Sequence, residues 1–390
     1  MPPISDRTRL IAGATRRGQG RRPVNPPVER ASTMLSDDPA RMQDASDGPV
    51  YGLDGTSAAR ELRALLAQME GGTDAFLVPS GLAAVTVPLT ALLRPGDEVL
   101  TTDAVYGPTR RFLTRHLAAR GITARFHPAD ASTEAVLTAI TPRTRLLLIE
   151  APASLTFEIA DAPALAAACR ERGVLTVMDN TWAAGLVFRP LAHGLDVSVQ
   201  ALTKYVGGHS DLIAGGCMGG ADIMARVGEM RTICGTTADP HTAWLLLRSL
   251  ETLHIRMERA QDNALILAER LRADPRVSAV LTAGGPDASP EQQAIFEAQC
   301  KGSGSTFSLE LPGGEAEAFR MLNALRLFKL AVSLGGAESL ASHPSSMTHS
   351  DYTAEAKARS GIGDNLVRLS VGIENVDDLW ADLDQALSTI

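Results

Sequence analysis

Cysteine is scarce in this chain. Cys169, Cys217, Cys234 and Cys300 are the only four in 390 residues, and they lie far apart. The lack of any CxxC pair excludes the common zinc and dithiol motifs, and the spacing does not build a disulfide scaffold. A reducing, cytoplasmic compartment is the expectation. No run of about 18 apolar residues occurs, so no membrane span is expected. The opening stretch "MPPISDRTRLIAGATRRGQGRRP" is rich in arginine but lacks the apolar segment and cleavage site of a secretory signal. It reads as a solvated arm. Positive charge is not in excess either. The formal net charge of -8 excludes a chain-wide basic footprint for nucleic acid. No internal repeat or low-complexity tract stands out.

What is present is an ordinary globular balance, with 45% apolar and 21% charged residues, and enough length for two domains. From about Thr56 to Gly220, short apolar runs alternate with helical patterns. "TSAARELRALLAQMEGG" sets Leu62, Leu65, Leu66 and Met69 at helical spacing, with Thr56 or Ser57 to cap it and Gly71-Gly72 to stop it. "AFLV", "DEVLTT", "RLLLIE", "VLTVMD" and "DVSVQA" read as strands. The alternation predicts an α/β fold with a mostly parallel sheet covered on both faces. Beyond Gly220 the texture changes. Residues 241–272 read as one long helix or two consecutive ones, "STFSLEL" as a strand, and residues 284–290 as a Gly/Pro-rich loop. The expected division is an arm over 1–55, a large domain over 56–250 and a smaller α+β domain over 251–390.

Four pieces carry chemistry. "VPSGLAA" puts Ser80-Gly81 between a strand and a helix, so the N–H groups of Gly81 and Leu82 would form an anion site. "TVMDNTW" ends a strand with Asp179, where open α/β sheets place ligands; a helix cap is the plainer use of such an aspartate. "ALTKYVGGHSD" brings Thr203 and Lys204 to the end of another strand, where a desolvated amine becomes a nucleophile toward carbonyls. "NLVRLSVG" sets Arg368 inside an apolar strand, which calls for an anionic ligand or an internal salt bridge. One ligand satisfies all four: pyridoxal phosphate (PLP) bound with an amino acid. It needs a lysine for a Schiff base, a carboxylate for its ring nitrogen and an anion site for its phosphate.

The chain resembles the PLP-dependent enzymes of cysteine and methionine metabolism, from "NPPVERAST" to "LSVGIENVDDLWADL". "EGGTDAFLVPSGLAAV", "MDNTWAAGLVFRPL", "SVQALTKYVGGHSDLIAGG" and "SLGGAESLASHPSSMTH" are specific to that family. The resemblance implies fold type I, with Lys204 as the Schiff-base and proton-moving lysine and Asp179 on the ring nitrogen. Tyr106 would stack on the ring and serve as a further catalytic group, and Gly81, Leu82 and Thr203 would contact the phosphate. Ser333 and Arg368 would lie on the substrate side, with Arg368 on the α-carboxylate. It further implies a homotetramer with shared sites, in which the arm meets a neighbouring subunit and Tyr51 serves the neighbour's cofactor and substrate. Two departures stand out. Many members carry an arginine where Leu53 stands, followed here by Asp54, and the serine of several γ-type members is Ala201.

The anchors serve both β- and γ-elimination. "EAPASLTFEIAD", with Ser154 where γ-type members carry asparagine, "YGPT" and "DNTWAAGLVF" resemble cystathionine β-lyases. "SLGGAESLASHPSSMTH" looks γ-type, with Leu334 where some β-lyases carry tryptophan, while Glu338 is common to both. The balance predicts a PLP-dependent carbon–sulfur lyase that cleaves L-cystathionine to homocysteine, pyruvate and ammonia. A γ-lyase, a γ-synthase or sulfhydrylase acting on an activated homoserine, and a silent cofactor-binding protein are the alternatives.

Overall fold

The computed structural model describes residues 5–13, 21, 23–44, 48–350 and 352–390. Much of the arginine-rich opening thus lies outside the described residues. Where the opening is described, it is not a solvated arm throughout. Residues Asp6–Ala12 form helix α1, capped by the Ser5 hydroxyl, and Leu10 on it is 1% exposed. Further along, Glu29 accepts the Ser57 N–H and Pro26 accepts the indole N–H of Trp244, so this segment is tied to the body.

Helix α2 spans Ser57–Glu70. Thr56 is its N-cap residue, but the orphan Ser57 N–H is taken by Glu29 rather than by the threonine hydroxyl. Gly71 closes it in the left-handed conformation. The strands that follow are β1 (Asp74–Val78), β2 (Glu98–Thr102), β3 (Thr123–His127), β4 (Thr144–Glu150), β5 (Leu175–Asp179), β6 (Val197–Gln200) and β7 (Gly215–Gly219). They form one sheet in the order β1-β7-β6-β5-β4-β2-β3. All pairs are parallel except those made by β7, which runs against both β1 and β6. Alternate residues serve opposite cores, as a doubly covered sheet requires. Leu147, Met178 and Met218 face α2 and its neighbours, and Leu146, Leu148, Val177 and Val199 face helix α3 (Gly81–Leu92).

The segment 241–272 forms two helices, Pro240–Leu250 and Leu253–Arg272. The second belongs to both halves of the molecule. Its Leu253 and Met257 join the large core, while Ala264, Leu267 and Leu271 join the core of the second sheet. That sheet comprises β8 (Ala279–Leu281), β9 (Thr306–Glu310), β10 (Lys329–Leu330), β11 (Leu340–Ser342) and β12 (Leu366–Ser370), in the order β10-β11-β12-β9-β8. Arg368 sits on its central strand. Among the described residues, no helix is long and apolar enough to cross a membrane.

Candidate active site

Three neighbouring strands of the large sheet end side by side. β4 ends at Glu150, β5 at Asp179, and β6 runs into the turn that carries Lys204. A cavity opens at these ends, lined by Tyr106, Glu150, Asp179, Lys204, His349 and Arg368 among others.

The turn after β6 is locally determined. The Lys204 N–H donates to the Ala201 carbonyl at 3.0 Å, and the Gly208 N–H donates to the Lys204 carbonyl at 2.7 Å. Gly208 has φ +65, and a Cβ there would lie 1.8 Å from Arg256, whose guanidinium donates to the Tyr205 and Ser249 carbonyls. The turn therefore needs glycine on both steric counts. Lys204 Nζ donates to Ser333 Oγ at 2.9 Å. Burial, and then the charge of Arg368, lower its pKa. A larger share of neutral amine makes it more nucleophilic.

Asp179 is aimed by its second neighbour. Thr181 donates its N–H at 3.0 Å and its hydroxyl at 2.5 Å to Asp179 Oδ1, and the same hydroxyl accepts the Ala201 N–H at 2.8 Å. The acid is thus keyed to the end of β6. Burial pushes its pKa up, and the two bonds from Thr181 oppose that.

Arg368 is 6% exposed, and its guanidinium donates to the Ser333 carbonyl at 3.3 Å. Among the described residues no carboxylate lies within ion-pair distance of it, so the internal salt bridge that would explain it away is not what this strand holds. Burial lowers its pKa. A buried cation without a counter-ion is costly unless a ligand supplies the anion. Ser333 joins it to the lysine by accepting from both.

Tyr106 stands at the N-cap of helix α4 (Gly107–Arg111), half-exposed over the cavity. Its N–H donates to Glu150 Oε2 at 2.8 Å. Burial, then Glu150 and Asp179, push its hydroxyl pKa up. At the cavity edge, Ala201 abuts the start of α3, where a Cβ on Gly81 would lie 2.4 Å from that of Ala201. Only glycine lets this helix N-terminus approach so closely. Its Gly81 and Leu82 N–H groups take no protein acceptor among the described residues, while the Ser80 hydroxyl accepts the Ala83 N–H.

Other expected residues sit differently. Thr203 is outside the cavity lining, and its hydroxyl both donates to and accepts from the Ala214 backbone. Tyr51 is 53% exposed and does not line this cavity. The Leu53 carbonyl is held by the buried Arg231 at 3.1 Å. Ser154 and Leu334 line the cavity, whereas Glu338 does not and accepts the Ser210 hydroxyl. Glu150, Thr181, Trp182 and His349 are site residues that the sequence reading did not single out. For Glu150 a signal existed, since "RLLLIE" ends in an acid just as "VLTVMD" does.

The donor set fits PLP. A desolvated amine and a strand-end carboxylate line one cavity, together with a guanidinium that has no carboxylate in ion-pair distance among the described residues, and the α3 N-terminus abuts Ala201 at the cavity edge. The comparisons agree. An L-methionine gamma-lyase of Pseudomonas putida is 42% identical over 328 residues, covering 84% of this chain and 82% of that one. A Rhizobium johnstonii protein provisionally named cystathionine beta-lyase is 36% identical, covering 94% of this chain and 91% of its own length. The crystal structure of cystathionine gamma-lyase from Lactobacillus plantarum, complexed with L-serine, superposes with a TM-score of 0.92 at 31% identity and covers 99% of both chains. The expected carbon–sulfur lyase class agrees with the lyases among these relatives. The profile of the Cys/Met metabolism PLP-dependent enzymes matches residues 7–388, and the chain belongs to that family and takes PLP as its cofactor.

Proposed function

We propose that this enzyme is a cystathionine β-lyase, releasing homocysteine, pyruvate and ammonia from L-cystathionine. The observation that carries an amino-acid substrate is the buried Arg368 without a carboxylate partner, joined through Ser333 to Lys204. Its planar fork suits an α-carboxylate in a bidentate contact. β-Cleavage is supported by Ser154, a β-lyase-like position that lines the cavity, and by the β-lyase-like segment "DNTWAAGLVF", part of which lines it too.

When bound, PLP supplies an electron sink for the carbon that bears the amine. Lys204 Nζ would hold the cofactor and take the α-proton, with Ser333 Oγ, which accepts from that nitrogen, fixing where it points. Asp179 would hold the proton on the ring nitrogen, and Thr181 holds Asp179. Gly81 and Leu82 offer N–H groups to the phosphate, and Thr203 would add its hydroxyl on leaving Ala214. Tyr106, its hydroxyl pKa raised, lines the cavity and would hand its proton to the departing sulfur. Tyr51, exposed and outside its own subunit's cavity, fits service in a neighbour's site within a homotetramer of dihedral symmetry.

A γ-type reading is favoured by the 42% identity to a methionine gamma-lyase. The deciding experiment is the 2-oxoacid formed from L-cystathionine with added PLP. Pyruvate is expected. 2-Oxobutyrate would replace the proposal with γ-elimination. Formation of neither acid would move it to a transferase or a silent protein.

A further inference from the structure

β4 and β5 both end in an acid, and the parallel register pairs Glu150 with Asp179. Directly paired residues of neighbouring strands project to the same side of a sheet, so both carboxyls enter one cavity. Neither has an arginine or lysine within ion-pair distance among the described residues. Glu150 accepts one bond, the Tyr106 N–H at 2.8 Å. Among the described residues, Asp179 is served by Thr181 alone. Two adjacent carboxylates without a cation repel each other, and retaining one proton between them relieves that. Asp179, with two hydrogen bonds to its oxygen, is the better-stabilised anion. Glu150, with one, is the better place for the proton.

We propose that Glu150 and Asp179 work as a pair carrying a single negative charge, with Glu150 the neutral acid and the positioning residue for Tyr106. This rests on the reading that Asp179 faces the cofactor ring. The pair then shows the ring nitrogen one negative charge rather than two, while the Glu150 oxygen holds the backbone of the ring-stacking tyrosine. Asp179 from β5 and the Tyr106 backbone from α4 meet Glu150 directly; the other titratable groups that line the same cavity are Lys204 from the turn after β6, Arg368 from β12 and His349. In support, burial and then Asp179 push Glu150 up to about 8. Above that pH the site would gain a second charge.

The test uses full-length protein with PLP and reads carboxyl protonation rather than turnover. Infrared difference spectra are recorded between pH 7 and 9.5 for the wild type and for Glu150→Gln. The variant keeps an oxygen for the Tyr106 N–H but cannot ionise. Glu70→Gln in both backgrounds removes a second carboxyl shifted into this range, to about 7. The wild type is expected to lose one protonated-carboxyl band in this range, and Glu150→Gln to lose none. Asp179→Asn should shift that loss toward lower pH by at least one unit. The same band loss in Glu150→Gln as in the wild type would overturn the proposal. If no variant, nor the wild type, binds PLP, the cofactor reading of Asp179 fails, and the infrared result still decides whether the two acids share a charge.

Discussion

Two carboxyls, one fully buried and one part-buried, stand at the same end of one sheet and are built in opposite ways. Glu70, at the end of α2, is fully buried and accepts from Asn180 Nδ2 at 2.9 and 3.2 Å, from Ser198 Oγ at 3.0 Å and from Gln200 Nε2. Its partners flank the site in sequence, with Asn180 next to Asp179 and Gln200 next to Ala201. Glu150, on the cavity side, accepts from one backbone N–H and faces another acid. Both are shifted upward, to about 7 and about 8, first of all by burial. The difference lies in the partners. A carboxyl surrounded by donors ties strands together, whereas a carboxyl left with few donors beside a cavity is available for chemistry. The sheet thus has an underside where Glu70 ties β5 and β6 together and a cavity side that carries Glu150 and Asp179.

Substitutions should separate these two sides. The largest effect is expected at Lys204. Lys204→Ala should abolish turnover and the visible absorbance of the lysine-bound cofactor, while the denaturation midpoint changes little. Residual lyase turnover, read as 2-oxoacid release, would break the assignment of the reactive side. Next comes Arg368→Ala. Loss of a charge-assisted contact worth about 1.5–3 kcal/mol should raise KM about 10- to 150-fold, with kcat less affected. An unchanged KM with a lowered denaturation midpoint would move Arg368 to the structural side.

Glu70→Gln should do the reverse. Its amide would turn an N–H toward side chains that themselves donate, costing about 2–3 kcal/mol of stability in urea unfolding. The pH dependence follows from its raised pKa. Between the unfolded value of 4.5 and about 7 the folded protein holds a proton that the unfolded chain has lost. The contribution is therefore full below about 4.5 and is lost as pH rises through about 7, with a slope of at most about 1.4 kcal/mol per pH unit. Glu70→Gln should lack that part of the slope when stability is compared at pH 5 and pH 8. An equal slope in both proteins would place the titration elsewhere.

Much of the large sheet was legible because its strands are short apolar runs bounded by turn residues. β1, β2, β4, β5 and β6 fall where "AFLV", "DEVLTT", "RLLLIE", "VLTVMD" and "DVSVQA" stand. β7, "GGCMG", was not read as a strand, because glycine has no side chain to reveal a strand pattern. The fold uses that bareness: a Cβ on Gly215 would lie 2.2 Å from the Ser80 carbonyl, at the start of α3. β3, "TARFH", was missed because it lies at the sheet edge, half-exposed and polar at its ends. In the site, Lys204, Asp179 and Arg368 were legible as polar residues set in or at the ends of apolar runs. Thr203 was expected toward the phosphate, but local geometry gives its hydroxyl to Ala214.

By itself the sequence determined the alternation of strands and helices and the amine, acid and guanidinium placed within it. It also determined the family, because these depend on local pattern and on motifs contiguous in the chain. Only the tertiary structure decided that Glu150 stands beside Asp179, that Ser333 bridges Lys204 and Arg368, and that Glu70 ties the strand ends from below. Those contacts join residues 29 to 130 positions apart, and their partners are set by strand order and register, which no local pattern encodes.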